Sequence, residues 1–143
     1  MSDYEVALTD APAAAAERAI GEGLARFNQA QSGVGDSRPL AVVVREPGTR
    51  EVVGGLLGRT SLGLLFVDLF YLPDTLRGHG LGGRILRQAE EEGRRRGCRA
   101  AVLYTISFQA PEFYERHGYR RFGEIACDPP GPSRVFLTKE LRV

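Results

Sequence analysis

Arg77-Gly78-His79-Gly80-Leu81-Gly82-Gly83 stands between an apolar run, residues 62–72, and an amphipathic segment, residues 81–96. The apolar run predicts a buried strand, and the spacing of apolar residues in the segment predicts a helix. A glycine-rich turn from a strand into a helix gathers several backbone N–H groups and the positive helix end at one point. The stretch therefore predicts an α/β fold with a phosphate site at this turn.

The composition is that of one ordinary globular domain. The chain has 143 residues, of which 43% are hydrophobic and 26% are charged. Its formal net charge of +1 gives no general attraction to nucleic acid or to an anionic membrane. No run approaches the roughly 20 apolar residues of a membrane span, and the first ten residues lack a signal-peptide core, so we expect a cytoplasmic protein. Cys98 and Cys127 are expected to be reduced and without a catalytic role.

The first half of the chain predicts a strand, a helix and an antiparallel hairpin. Alternation over residues 4–8 is typical of a strand. Apolar residues at helical spacing after Pro12 predict a helix, followed by a polar loop over residues 28–39. Strands are predicted over residues 40–44 and 52–57, with a turn at Pro47-Gly48 between them.

The second half predicts a strand–helix–strand crossover, a short helix and two closing strands. The strand over residues 64–72 is apolar nearly throughout, which favours burial on both faces. Glutamates at 90–92 stand four residues before arginines at 94–96, a spacing that predicts a solvated helical face. The remaining predicted elements are strand 100–106, helix 111–117, strand 120–125 and strand 134–141.

Two familiar phosphate-binding patterns fit the glycine turn poorly. A Walker-type loop would end in Gly-Lys followed by Ser or Thr, whereas Gly83 is followed by Arg84 and Ile85. The turn does satisfy the dinucleotide pattern G-x-G-x-x-G, but that fold needs an acid at the end of the next strand. Residues 99–109 contain no Asp or Glu. Neither class of nucleotide site is therefore favoured.

Two motifs together indicate a third class of site. Residues 77–82 fit the pattern R/Q-x-x-G-x-G/A, and residues 110–119, Ala-Pro-Glu-Phe-Tyr-Glu-Arg-His-Gly-Tyr, fit A-x-x-F-Y-x-x-x-G-F/Y. The pair resembles the Gcn5-related N-acetyltransferase (GNAT) superfamily. The resemblance covers residues 64–125 strongly and the first half only through the order of strands and helices.

The resemblance implies a mixed, strongly twisted sheet of six to seven strands with three to four helices, and acetyl-CoA wedged between a splayed fourth and fifth strand. By position these strands are residues 64–72 and 100–106. The main chain of residues 70–72 would pair with the pantetheine arm, and N–H groups of the turn would bind the pyrophosphate. The residues to which it assigns cofactor binding are Phe70, Tyr71, Leu72, Arg77, Gly78, His79, Gly80, Leu81, Gly82, Gly83, Ser107 and Phe113.

Two positions depart from the family pattern. Ser107 stands where many members have an asparagine, so a side-chain contact to the CoA arm is lost or shortened. Pro73 lies one residue further from Arg77 than in the commonest spacing, which bears on the register of the strand before it.

Acetyl transfer to an amine needs a neutral amine, a stabilised oxyanion and a proton for the departing thiolate. By resemblance, Tyr114 donates that proton, and a backbone N–H near Phe70 or Leu72 stabilises the oxyanion. Asp68 is the ionisable residue of an apolar strand, where burial would raise its pKa toward that of a useful base. A capping role, solvent exposure of Asp68 or deprotonation through ordered water are the alternatives. Further candidates for the base are Glu51, Tyr104 and His117.

The sequence therefore predicts an acetyl-CoA-dependent N-acetyltransferase in which a primary amine attacks the thioester directly, without a metal or a covalent enzyme intermediate. A small-molecule acceptor is favoured, and a protein N-terminus or lysine is the alternative. A non-catalytic module that binds or senses CoA is the other class of function. We expect a monomer or homodimer without nucleic-acid or membrane partners. Residues expected to line the acceptor side are Tyr104, Phe108, Tyr119 and the loop 129–132.

Overall fold

The computed structural model describes residues 3–142, which divide into two units at Gly35. The first unit contains helix α1 (Ala14–Ser32). The second contains a six-stranded sheet, helix α2 (Leu81–Arg95) and the short helix α3 (Pro111–Arg116). The strands are β1 (Arg38–Arg45), β2 (Val52–Ser61), β3 (Leu64–Tyr71), β4 (Ala100–Ile106), β5 (Arg120–Ala126) and β6 (Ser133–Glu140).

The sheet is mixed, as predicted. Its strand order is β1-β2-β3-β4-β6-β5, and β3 and β4 are its parallel pair. Parallel neighbours need a crossover connection, which α2 supplies. The predicted hairpin around Pro47-Gly48 joins β1 and β2 in antiparallel register.

The parallel pair separates part of the way along its length. Pairing joins Leu64–Val67 to Ala100–Leu103, although β3 continues to Tyr71 and β4 to Ile106. Val67 and Leu69 pair with the adjacent residues Gly58 and Leu57 of β2, so Asp68 is an extra residue in a β-bulge. Because a bulge bends its strand, β3 turns away from β4 here. The predicted splay is thus present between β3 and β4.

Two expectations for the first half of the chain were wrong. Residues 4–8 form no strand, because alternation supplies a pattern but no described strand pairs with them. The expected loop over residues 28–39 begins later, since α1 continues to Ser32. Its stop is Gly33, which adopts the left-handed φ of 77° and donates its N–H to the Gln29 carbonyl at 2.8 Å. The stop signal was the glycine and not the polar composition before it.

Helix α2 covers one face of the sheet and forms the core there. Ile85, Leu86 and Ala89 are buried against strand residues that include Leu65 and Leu137. The expectation that the strand over residues 64–72 is covered on both faces was wrong, because Asp68, Leu69 and Tyr71 are exposed. The cause is the bulge, beyond which β3 has left β4.

The charged residues of α2 are not all exposed to solvent, although the sequence predicts that they are. Glu92 lies on the solvated face and accepts hydrogen bonds from Arg95 and Arg96, which lower its pKa. Glu90, however, is buried with 2% of its surface exposed. Its carboxylate accepts hydrogen bonds from the Tyr119 hydroxyl and the Lys139 ammonium, both at 2.8 Å. This buried carboxylate links α2 to β6 and to the residue that precedes β5.

Glu90→Gln is expected to lower the free energy of unfolding by about 2–4 kcal/mol, because it leaves the Lys139 ammonium without a counter-charge in a largely buried setting. Urea denaturation followed by circular dichroism measures the change. Glu91→Gln, one residue along on the exposed surface, is the matched control and is expected to change stability by less than about 0.5 kcal/mol. Equal, small losses in the two variants would show that the buried contacts are not stabilising.

Candidate active site

A cleft of about 960 Å³ joins the features that the sequence indicated separately. It begins at the glycine turn, runs along the end of β3 and enters the gap between β3 and β4, where α3 forms a further wall. The predicted cofactor residues that line it are Phe70, Tyr71, Leu72, Arg77, Gly78, Gly80, Gly82, Gly83 and Phe113. Nine of the predicted cofactor residues therefore lie on one continuous surface.

The glycine turn holds the N-terminus of α2 open toward this cleft. Gly78 and Gly80 have φ values of 83° and 80°, a left-handed conformation that favours glycine. Gly80 is the N-cap residue of α2, and no side chain caps the helix there. The N–H groups of the first helical turn, which have no partner within a helix, are thus available to a ligand with negative oxygens.

Gly82 and Gly83 have a different role, because they allow the close approach of α3. A Cβ on Gly82 would lie 3.2 Å from the Phe113 ring, and one on Gly83 would lie 2.6 Å from Nε2 of His117. The His117 ring is itself fixed by a 2.9 Å hydrogen bond between Nδ1 and the Phe113 carbonyl. These two glycines therefore bring α3 against the start of α2 and form one end of the cleft.

Arg77 fastens the turn to the end of β3. Its Nε donates to the Leu72 carbonyl at 2.8 Å, and its guanidinium pairs with Asp74 at 2.9 Å. The same guanidinium lies 5.9 Å from the centre of the Tyr71 ring. This predicted cofactor residue thus holds the backbone of the turn in addition to lining the cleft.

Other predicted positions do not line the cleft, namely His79, Leu81, Ser107, Tyr119, Glu51 and the loop 129–132. His79 and Leu81 are absent from the cleft lining, and Leu81 packs against the core. Ser107 also does not line it, since its hydroxyl oxygen accepts the Ser133 N–H at 2.9 Å. Tyr119, expected on the acceptor side, is buried and donates to Glu90; that expectation was wrong because its hydroxyl points into the core.

Two helix arginines that the sequence analysis did not single out also line the cleft. Arg87 on α2 and Arg116 on α3 both border it, together with His117. Arg87 follows Gly83 by four residues, so it lies on the same helical face as the turn. This four-residue spacing could have predicted Arg87 as a cleft residue from the sequence. Among the residues expected on the acceptor side, Tyr104 and Phe108 do line the cleft.

Tyr114 is a buried tyrosine in the cleft wall. It has 8% of its surface exposed, and its ring makes edge contacts with Phe70, Phe113 and Tyr119 at centroid distances of 5.1–6.3 Å. Burial raises its pKa to about 12, because removal from water disfavours the phenolate. The phenol is therefore protonated at neutral pH and has a proton to donate.

Asp68 lines the cleft but is not buried. Its carboxylate pairs with the Arg59 guanidinium of β2 at 2.6 Å, and about half of each side chain is exposed. The expected burial was wrong because the bulge places Asp68 where β3 and β4 are already apart. Asp68 is nevertheless the acidic side chain among the described residues that line this cleft.

Comparison with known proteins agrees with this geometry. The model of the acetyltransferase (GNAT) domain matches residues 37–121. An acetyltransferase of Agrobacterium fabrum is 38% identical over 132 residues, which are 92% of this chain and 96% of that protein. The blasticidin-S acetyltransferase of Streptomyces morookaense is 41% identical over 109 residues, 74% of this chain and 80% of that protein.

A solved structure has the same architecture. The crystal structure of a candidate acetyltransferase from Agrobacterium tumefaciens superposes with a TM-score of 0.87 at 36% identity, covering 96% of this chain and 99% of that one. A glycine turn that opens into a splayed parallel pair, together with these similarities, defines the class as an N-acetyltransferase. The chain belongs to the GNAT family. Within the part of the chain that the structure describes, no helix is long and apolar enough to cross a membrane.

Proposed function

We propose that this N-acetyltransferase moves an acetyl group from acetyl-CoA to a primary amine on a small molecule, by direct attack of the amine on the thioester. One observation carries the proposal. The anion-binding turn and the buried phenol of Tyr114 lie on a single cleft that reaches the gap between β3 and β4. A donor with phosphates at one end and a thioester at the other matches such a cleft.

The phosphate end of the donor is bound by the glycine turn in this proposal. The first N–H groups of α2 and the positive end of its dipole face the pyrophosphate. Arg87, whose guanidinium lies beside Gly83, and Arg116 line the same cleft and add positive charge. The pantetheine arm follows the backbone of residues 70–72, where β3 has no neighbour on its β4 side.

Acetyl transfer takes place in the gap between β3 and β4 in this proposal. The amine nitrogen attacks the thioester carbonyl carbon, and the carbon–sulfur bond then breaks. A backbone N–H of β3 near Phe70 or Leu72 stabilises the oxyanion between these steps. Tyr114 gives its phenolic proton to the departing thiolate, and solvent returns a proton to the phenolate.

The attacking nitrogen must also lose a proton. Asp68 is our candidate acceptor, either directly or through water, because it is the carboxylate on this cleft. Its partner Arg59 holds the carboxylate in place at the bulge. Asp68 therefore stands next to the point at which β3 leaves β4, where the amine has to approach.

A small-molecule acceptor is favoured by a relative. The blasticidin-S acetyltransferase, 41% identical to this chain, is named for a small molecule. Acetylation of a protein N-terminus or lysine is the alternative, and we place it second because no observation on this cleft favours a basic peptide.

The proposal is tested by thiol release with acetyl-CoA and a panel of small primary amines. We expect turnover with at least one amine. When both substrates are varied, double-reciprocal plots of the initial rates should give intersecting lines, because direct attack requires both substrates to be bound together. Parallel lines would indicate an acetylated enzyme and contradict direct attack. Tight CoA binding without turnover on any amine or basic peptide would instead favour a module that senses CoA.

A further inference from the structure

The acceptor end of the cleft carries a positive charge that the proposed chemistry does not use. Arg134 of β6 lines the cleft, on a different element from the glycine turn, α2 and α3, which carry the other arginines of the lining. Its backbone pairs with Ile106 of β4 on one side and Ile125 of β5 on the other. An arginine at this position is not needed for the core, since its side chain is exposed.

Arg134 is one of three arginines of the sheet, with Arg45 and Arg120, that have no carboxylate partner among the described residues. Arg59 and Arg121, for comparison, pair with Asp68 and Glu115. The guanidinium of Arg134 instead lies 5.4 Å from the centre of the Tyr104 ring. Tyr104 in turn packs on Phe136 at a centroid distance of 5.5 Å. This aromatic support orients the guanidinium without neutralising it.

Strand register puts Arg134 on the same face of the sheet as Tyr104 and Asp68. Tyr104 pairs with Phe136, two residues from Arg134, and residues two apart share a face. Phe66 pairs with Val102 across β3 and β4, which places Phe66 on the face of Tyr104. The Arg59 guanidinium lies over the Phe66 ring and pairs with Asp68, so Asp68 is on this face as well. Asp68, Tyr104 and Arg134 thus lie on one face of three neighbouring strands, β3, β4 and β6. Because β3 has left β4 at Asp68 and Arg134 pairs with Ile106, two residues beyond Tyr104, the backbones of Asp68 and Arg134 are further apart than the roughly 10 Å of two strand spacings.

We propose that the acceptor amine also bears a carboxylate, and that Arg134 is the specificity residue that binds it. The inference rests on the proposed function, because it assigns one end of the same acceptor to Arg134. The amine approaches the bulge at Asp68, and the carboxylate receives hydrogen bonds from the guanidinium beyond Tyr104. Arginine suits this role because its planar donors match a carboxylate. A polycationic acceptor would meet repulsion at the same place.

The test uses pairs of primary amines that differ in one group, a free carboxylate against its carboxamide, such as an amino acid and its amide. For pairs that react, we expect kcat/KM to be roughly 10- to 100-fold higher for the carboxylate, since a hydrogen bond to a charged group is lost in the amide. Arg134→Met keeps much of the side-chain bulk and is expected to remove this preference, mainly through a higher KM for the carboxylate. Arg120→Met, on an exposed position of β5 outside the cleft, is the matched control.

The outcomes separate the two proposals. Equal losses for carboxylate and amide in Arg134→Met, or a wild-type preference for the amide, overturn the role of Arg134 while leaving the acetyltransferase intact. A weakened affinity of Arg134→Met for acetyl-CoA in calorimetry would assign the arginine to the donor and also overturn it. Absence of turnover with every amine, together with normal acetyl-CoA binding, defeats the proposed function itself and the inference with it.

Discussion

Gly80→Asp is expected to weaken acetyl-CoA binding by roughly 100-fold or more, with the fold retained. Gly80 is the N-cap of α2 with a φ of 80°, and a Cβ built on it meets nothing within 4 Å. Asp tolerates the left-handed region better than most residues, so the structural cost is modest. Its carboxylate, however, would stand where the account places the pyrophosphate. Like charges about 4 Å apart repel by about 4 kcal/mol at an effective dielectric constant of 20.

Gly80→Asn is the matched control for this effect. Asn has nearly the same shape as Asp and tolerates the same backbone conformation, but it brings no charge. We expect its affinity for acetyl-CoA to fall by less than about 10-fold. Calorimetric titration of both variants gives the comparison, and thermal unfolding shows that both are folded. If Asn and Asp weaken binding equally, the turn does not bind an anion and the placement of the donor is wrong.

Tyr114→Phe is expected to lower kcat by roughly 100-fold or more, within the range that a positioned general acid contributes. Affinity for acetyl-CoA should change little, because the ring and its edge contacts with Phe70 and Phe113 are retained. Thiol release measures kcat, and calorimetry measures affinity. Since burial raises the pKa of Tyr114 to about 12, its titration should not limit the wild-type rate between pH 7 and pH 10.

Phe113→Leu tests whether the loss belongs to the hydroxyl. Phe113 neighbours Tyr114 in the same wall and lines the cleft, but its side chain has no proton to give. We expect a smaller loss of kcat than in Tyr114→Phe, accompanied by weaker binding, since the Phe113 ring contacts the start of α2. Turnover that survives Tyr114→Phe unchanged would remove Tyr114 from the mechanism.

The second half of the sequence was sufficient to predict the strands and helices that form the cleft. The crossover β3-α2-β4 and the short helix α3 appeared with bounds close to those observed, because glycine and proline mark their ends and apolar spacing marks their interiors. The opening between β3 and β4 could be expected only through the family resemblance. The local sequence does not predict that pairing between the two parallel strands ends after Val67 and Leu103.

Side-chain environments were harder to predict, since they depend on tertiary contacts. Asp68 was expected to be buried because its strand is apolar, yet the bulge at that residue exposes it. Glu90 was expected to be solvated because its neighbours are charged, yet it meets Tyr119 and Lys139 from distant parts of the chain. Arg134 belongs to no sequence motif. It lies on the cleft because β6 pairs with β4, which the local sequence does not predict.

Calorimetric titration of the purified protein with acetyl-CoA, CoA and NAD decides whether the glycine turn binds the phosphates of the acetyl donor. We expect saturable, micromolar binding of acetyl-CoA and CoA, abolished or strongly weakened in Gly80→Asp, and no response to NAD. That result would place the phosphates of the donor at the glycine turn. Failure to bind acetyl-CoA or CoA would contradict the account, and saturable binding of NAD would return the turn to the dinucleotide class of site.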